Sequence, residues 1–282
     1  QTESKRLPAE ERQRRNEQAA LWEEIRVLRR LRHPNIVRVQ DVIDAQLSKP
    51  LMSVPLPSLW KIMSAAGGKI PEQQAQVLFW QLCGGLAYCH SNHIAHRNIK
   101  PEAILVSDTN HVQLANFGLA AKFGSLHRWT TGKCGTMPFV APEVLLGLPY
   151  HPAGADVWAV GVVLLEMLCG INAVPRMLHW GRPPAPSSDR GEELVAFFRN
   201  PEALLSSTST MGASLGSTAL DLAGVLVGML AVSPEERWPI SRARDSAWAS
   251  EGVIELPSDD CRNCDDTGGP AGTISEEPEG YE

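Results

Sequence analysis

Two short clusters bear most directly on chemistry: His96-Arg97-Asn98, opening the run HRNIKPEAIL, and Asn116-Phe117-Gly118, inside the run VQLANFGLA. A carboxylate can serve as a base or a metal ligand, and an amide in its place serves neither well. The Asn98 amide takes up no proton near neutral pH, so it cannot act as a general base. Asn116 offers one neutral carbonyl oxygen where magnesium prefers a carboxylate. Ala103, further along the first run, offers no ligand at all. Cys261-x-x-Cys264 is a single pair in a polar tail, and without a second pair it reads as chance spacing rather than a zinc site.

Composition bounds what these residues can serve. A chain of 282 residues with 43% hydrophobic content suits one large domain, or two lobes with a tail. A net charge of -6 argues against a general nucleic-acid binder. Six cysteines are too few for a disulfide framework, which points to a reducing, cytoplasmic setting, with the nucleus as an alternative. The charged opening QTESKRLPAEERQRR is unlike a signal peptide. The apolar run Val160 to Leu165 stops at Glu166 and is too short to span a membrane. The first residue is Gln rather than Met, which points to a piece of a longer protein or a trimmed start.

The elements that must hold the two clusters follow from periodicity. From Glu10 to Arg32, Ala19, Leu21, Ile25, Leu28 and Leu31 fall on one stripe, predicting a helix that His33-Pro34 ends. Ile36 to Gln40 alternates like a strand, and Leu51 to Val54 is a second short apolar run before Pro55 and Pro57. Beyond Ser58, helical patterns cover Gln73 to His90, Ala155 to Cys169 and Ser217 to Val232. From Glu251 onward ten acidic residues face one basic residue, a composition that predicts a disordered tail over 250–282.

The motif series from about Arg14 to Trp248 resembles a protein kinase of the Ser/Thr type. HRNIKPEAIL and ANFG stand where the family carries H-R-D-x-x-x-x-N and D-F-G. EIRVLRRLRHPNIV is similar to helix C and the strand after it, and places Glu24 where the partner of the ATP lysine sits. Lys100 matches the Ser/Thr type of catalytic loop. KCGTMPFVAPEVL carries Ala141-Pro142-Glu143 in place of A-P-E, DVWAVGVVLLEMLCG resembles helix F with Asp156, and Arg237 stands where an arginine pairs with the A-P-E glutamate. The wording of CGTMPFVAPEVL is closest in flavour to the calcium/calmodulin-dependent and sucrose-nonfermenting-like kinases. The resemblance implies an α+β, two-lobed fold: a kinase-like domain over 1–249, with a truncated N-lobe over 1–57 and a mainly helical C-lobe over 58–249. It further implies a packed spine of Leu28, Val39, His96 and Phe117, and Leu105 beneath an adenine.

Against that family pattern, Asn98 replaces the catalytic base, and Ala103 and Asn116 replace the two metal ligands. No Gly-rich loop or V-A-I-K strand precedes Glu10, and Lys5 lies in Glu3-Ser4-Lys5-Arg6, which lacks strand character. Pro55 and Pro57 each remove a backbone N–H from the segment that receives adenine in the family. Gly132 occupies the phosphothreonine position. Thr130 and Thr131 read as ordinary loop residues, or else as a shifted phosphosite that Arg97 would pair with. Two function classes stay open. One is a pseudokinase that binds or regulates a protein partner. The other is a Ser/Thr kinase acting on protein substrates, for which ATP and Mg²⁺ enter only if the nucleotide site is completed. Neither involves nucleic acid or a membrane.

Overall fold

A computed structural model describes residues 11, 18, 21, 22, 24–38, 56–124, 130–181, 186–211 and 219–251. The predicted strand residues Val39 and Gln40, Leu51 to Val54 with Pro55, Lys5, and the acidic tail from 252 lie outside the described residues.

The first helix, α1, is described as helical at residues 21, 22 and 24–28. It gives way to a turn at Arg29 and Arg30, earlier than the expected Arg32, and Leu31 N–H reaches back only three residues to the Leu28 carbonyl. Its stripe buries Ile25, Val27, Leu28 and Leu31. The alternation after Pro34 does not build a strand over its described residues. Ile36 makes one parallel bridge to Leu114, where Asn35 and Val37 exchange hydrogen bonds with Leu114, and among the described residues no second edge extends the ladder.

The rest is mainly helical. Helix α2 (Leu59–Ala65) begins where Ser58 Oγ accepts from Lys61 N–H at 3.3 Å. Helix α3 (Glu72–Ser91) and helix α5 (Pro152–Cys169) form the central pair, with the short α4 (Pro142–Leu145) leading into α5. Every residue of α5 from Asp156 to Cys169 is buried, the pattern of a helix enclosed on all sides. By length and composition α5 could cross a membrane, yet 83% of that stretch is buried inside the fold, as expected of a core helix. Its neighbours are α6 (Ala173–Met177), α9 (Ala219–Met229) and α3, with α7 (Ser188–Phe198), α8 (Pro201–Thr210), α10 (Ile240–Arg244) and α11 (Ala247–Glu251) outside them. Helix α9 stops three residues short of the expected Val232, and 217–218 lie outside the described residues.

Two small antiparallel sheets carry the clusters. Strand β1 (Ile94–Ala95) pairs with β4 (Ala121–Lys122), and β2 (Ile104–Val106) pairs with β3 (Val112–Leu114) in the register Ile104 to Leu114. Asn98 follows β1 and Asn116 follows β3. The β2–β3 pair is nested between β1 and β4, so both clusters lie in connections between the two sheets, Asn98 from β1 to β2 and Asn116 from β3 to β4. Ala115 N–H donates to the Ala103 carbonyl at 2.9 Å, tying the two connections together.

Asn35 ties this layer to α3. Its side-chain Nδ2 donates to Gln81 Oε1 at 3.1 Å and to the Val112 carbonyl at 3.0 Å. Its carbonyl approaches α3 at Gly85, where a Cβ would sit only 2.8 Å away. Only glycine permits that approach.

Candidate functional site

The His96-Arg97-Asn98 cluster is held by one buried carboxylate. Asp156, 1% exposed in the first turns of α5, accepts from His96 N–H at 2.8 Å and from Arg97 N–H at 2.7 Å. His90 Nε2 meets the same carboxylate at 3.0 Å. The His96 ring is consumed by structure. Its Nδ1 accepts from Asn98 N–H at 3.3 Å, which leaves the hydrogen on Nε2 to donate to the Ala115 carbonyl at 2.9 Å. Burial holds the His96 pKa below its usual value, against the opposing pull of Asp156 and the Ala115 carbonyl, so the ring stays neutral. It stacks edge-on against Phe117 with centroids 4.7 Å apart. Leu28 is buried as the spine requires.

Asn98 and Lys100 converge on a third residue. Thr136 Oγ1 donates to Asn98 Oδ1 at 2.9 Å, and Lys100 Nζ donates to Thr136 Oγ1 at 3.3 Å. Sequence reasoning passed over Thr136, although it lies within the quoted CGTMPF. The available signal was Gly135, whose φ of +110° and close approach to the Arg97 carbonyl admit no side chain. That turn aims the next hydroxyl at the catalytic-loop position. The Asn98 oxygen is thereby an occupied acceptor, and its amide group has no basicity to offer.

Asn116 sits in the left-handed region at φ 67° and ψ 58°, which asparagine tolerates better than most residues, and a 3-10 turn over Phe117–Leu119 follows. Phe117 N–H donates to Glu24 Oε1 at 2.8 Å, so α1 reaches the second cluster through this carboxylate. Burial raises the Glu24 pKa, and the Phe117 bond partly offsets the rise. Lys5 lies outside the described residues. Ala103 is fully buried in the 3-10 turn Pro101–Ala103. Leu105 lies half-buried in β2 and bridges Ser58, while Val106 N–H donates to the Pro57 carbonyl at 3.0 Å.

The groups at the three chemical positions do not fit a magnesium ion. Asn98, Ala103 and Asn116 supply no carboxylate, and among the described residues no three His, Cys, Asp or Glu side chains cluster as ligands.

In the activation-segment stretch, Thr130 exchanges both backbone hydrogen bonds with Tyr150 at 2.9 Å, and Tyr150 Oη donates to the Gly132 carbonyl at 2.8 Å. Thr131 is exposed. Arg97 Nε donates to the Leu119 carbonyl at 3.0 Å. Below them, Arg237 grips Glu143 with two bonds of 2.6 and 3.0 Å, both residues buried.

Comparison with known proteins agrees with the motif order. A family profile described as the protein kinase domain matches residues 4–249. A protein of Oryza sativa subsp. japonica named "Putative CBL-interacting protein kinase 13" is 38% identical over 158 residues. That alignment covers 54% of this chain and 30% of the relative.

Proposed function

The chain belongs to the protein kinase family, and we propose that within it this domain is a pseudokinase, a module that binds or regulates a protein partner without transferring phosphate. One observation carries the reading. The side chains at the base and metal positions are Asn98, Ala103 and Asn116, and the Asn98 oxygen is already taken by Thr136. A phosphoryl transition state is stabilised almost wholly by positioning and by charge, and the cations that supply that charge need carboxylate ligands. The frame around these positions is whole: Asp156 fixes the loop, His96 packs on Phe117, and Arg237 holds Glu143. A frame without its reactive groups serves recognition. The relative's name describes an interacting protein kinase, which accords with a protein partner here.

Phosphate transfer tests the proposal. The purified chain, given magnesium and labelled ATP, should leave generic Ser/Thr peptides at background. Robust magnesium-dependent labelling by the unmodified chain would overturn the pseudokinase reading in favour of a Ser/Thr kinase. The triple variant Asn98→Asp, Ala103→Asn, Asn116→Asp should also stay silent, because no sequence before Glu10 resembles the Gly-rich loop or the strand that carries the family's ATP lysine. Labelling by that variant alone would trace the loss to the three side chains.

A further inference from the structure

Helix α1 carries a groove of about 380 Å³ lined by Trp22, Arg26, Arg29 and Arg30, with the buried Ile25 beneath them. These positions form one stripe, because side chains three and four apart are neighbours on a helix. Trp22 is 43% exposed, and the three arginines are exposed as well. A large aromatic surface framed by like charges therefore faces outward.

The charge along this stretch is one-sided. Residues 24–38 hold five arginines and a single acid, Glu24. That carboxylate is taken by Phe117 N–H at 2.8 Å. Arg26 is otherwise engaged. Arg29 and Arg30 pair with no carboxylate among the described residues, so they are the cations left for an acidic ligand.

The same chain holds the complement. Residues 252–282 carry nine acidic residues and one basic residue, Arg262. Within them Ile274 to Glu282, ISEEPEGYE, sets four glutamates around one tyrosine with no basic residue. The spacing agrees. Trp22 and Arg29 stand about 10 Å apart along a helix. In extended chain Tyr281 stands roughly 7–13 Å from Glu279 and Glu277. Reach is sufficient too. Trp248 Nε1 donates to Glu72 at 2.9 Å, which fixes α11 to the start of α3, and Arg32 N–H donates to Tyr88 Oη at 3.1 Å, near its end. Those two points on α3 are about 24 Å apart, and the helix from Arg32 back to Trp22 adds about 15 Å. Residues 252–273 span up to roughly 70 Å.

We propose that the segment Ile274–Glu282 of this chain docks on the α1 groove, with Tyr281 against Trp22 and Glu277 and Glu279 against Arg29 and Arg30. Exposed ion pairs are individually weak. Tethering offsets this, because it holds the segment at an effective concentration on the order of a millimolar, an advantage that a separate acidic protein lacks. The docking is independent of phosphate transfer.

Backbone NMR relaxation on the ¹⁵N-labelled full chain tests it. Order parameters at Glu277, Glu279 and Tyr281 should approach the ~0.85 of rigid backbone at low salt and fall below ~0.6 when salt screens the ion pairs. Arg29→Glu with Arg30→Glu should cause the same fall at low salt, with the melting temperature within a degree or two. Adding Glu277→Arg and Glu279→Arg to that variant should restore the order. Should the arginine variant fail to fold, Glu277→Gln with Glu279→Gln puts the same question from the other side and should also release the segment. Tenfold dilution should change nothing. Order lost on dilution would give the groove to a second copy's segment and overturn docking within one chain. Order parameters below ~0.6 in the unmodified chain at low salt would overturn it as well. If added poly-glutamate then bound saturably at Arg29 and Arg30, the groove would belong to a separate acidic partner. High order indifferent to both charge variants would show that the segment is held elsewhere.

Discussion

Removing Arg237 strands a charge. Its guanidinium neutralises Glu143, packs over the Trp158 ring at 5.3 Å and caps three carbonyls. Arg237→Met should therefore cost about 3–5 kcal/mol, the range for breaking a buried pair by deleting one partner. Chemical denaturation measures it, and a loss under ~1 kcal/mol would show the pair to be solvated. Glu166 gives a pH signature. Burial pushes its pKa from 4.5 up to about 7, with Glu102 adding to the rise, and the Asn172 N–H bond and Arg176 opposing it. Its folded pKa is thus above its unfolded one. The stabilisation from holding the proton is whole below about pH 4.5 and is lost as pH climbs through 7, at most about 3 kcal/mol. Glu166→Gln, which keeps an acceptor for Asn172, should flatten that part of the stability profile and leave the variant more stable than the parent at pH 8. A profile unchanged between pH 4.5 and 8 would show that Glu166 titrates normally. At this scale the sequence displayed identities but not partners. Asn98 and Lys100 stood out by motif position, whereas Thr136 required the backbone turn at Gly135 to be seen.

Adjacent glycines in α3 face different surroundings, which makes the helix a test of packing against propensity. At Gly84 an added Cβ would meet its nearest neighbours at 3.8–3.9 Å, ordinary contact. At Gly85 it would meet the Asn35 carbonyl at 2.8 Å. Both substitutions to alanine gain up to about 1 kcal/mol of helix propensity. Gly84→Ala should keep that gain and melt at or above the parent temperature. Gly85→Ala should lose about 1–3 kcal/mol net, because backbone must move away from α3 and overpacking is felt at that scale. The loop that moves also donates and accepts at Leu114, two residues before Asn116, so the strain runs toward the second cluster. Equal melting temperatures for the two variants would contradict this geometry. The long helices were legible because apolar-rich runs of eighteen to twenty residues are too long for a strand. The strand expected over Ile36 to Gln40 is not built over its described residues, 36–38: alternation specifies an extended chain but not an edge to pair with, and one bridge to Leu114 is what the described neighbours permit.

For the whole molecule the question is whether a nucleotide stabilises the fold. The kinase architecture was legible because several motifs occurred in family order, each fixed by a job in the frame: Asp156 under the loop, Arg237 on Glu143, His96 on Phe117. What the frame does could not be read from its intactness, since packing residues and reactive residues answer to different physics. Hydrophobic and buried polar contacts keep the fold whatever happens to the base. Binding of Mg-ATP, by contrast, draws on metal ligands, and Ala103 and Asn116 stand at the family's two metal-ligand positions without a carboxylate. Glu24, at the position where the family carries the partner of the ATP lysine, holds Phe117 N–H. A ligand present at a hundred times its dissociation constant adds about 2.7 kcal/mol to stability. For a domain of this size that would raise the melting temperature by roughly 5–11 °C. Titrating ATP with and without magnesium should give no magnesium-dependent shift of that order at millimolar nucleotide. The triple variant carrying Asn98→Asp, Ala103→Asn and Asn116→Asp serves as the comparison, because a shift that appears there alone would assign the loss of metal binding to these side chains. A clear magnesium-dependent shift in the unmodified chain would mean that neutral amides and the surrounding backbone suffice to hold the nucleotide, and the pseudokinase reading would then have to rest on the missing base alone.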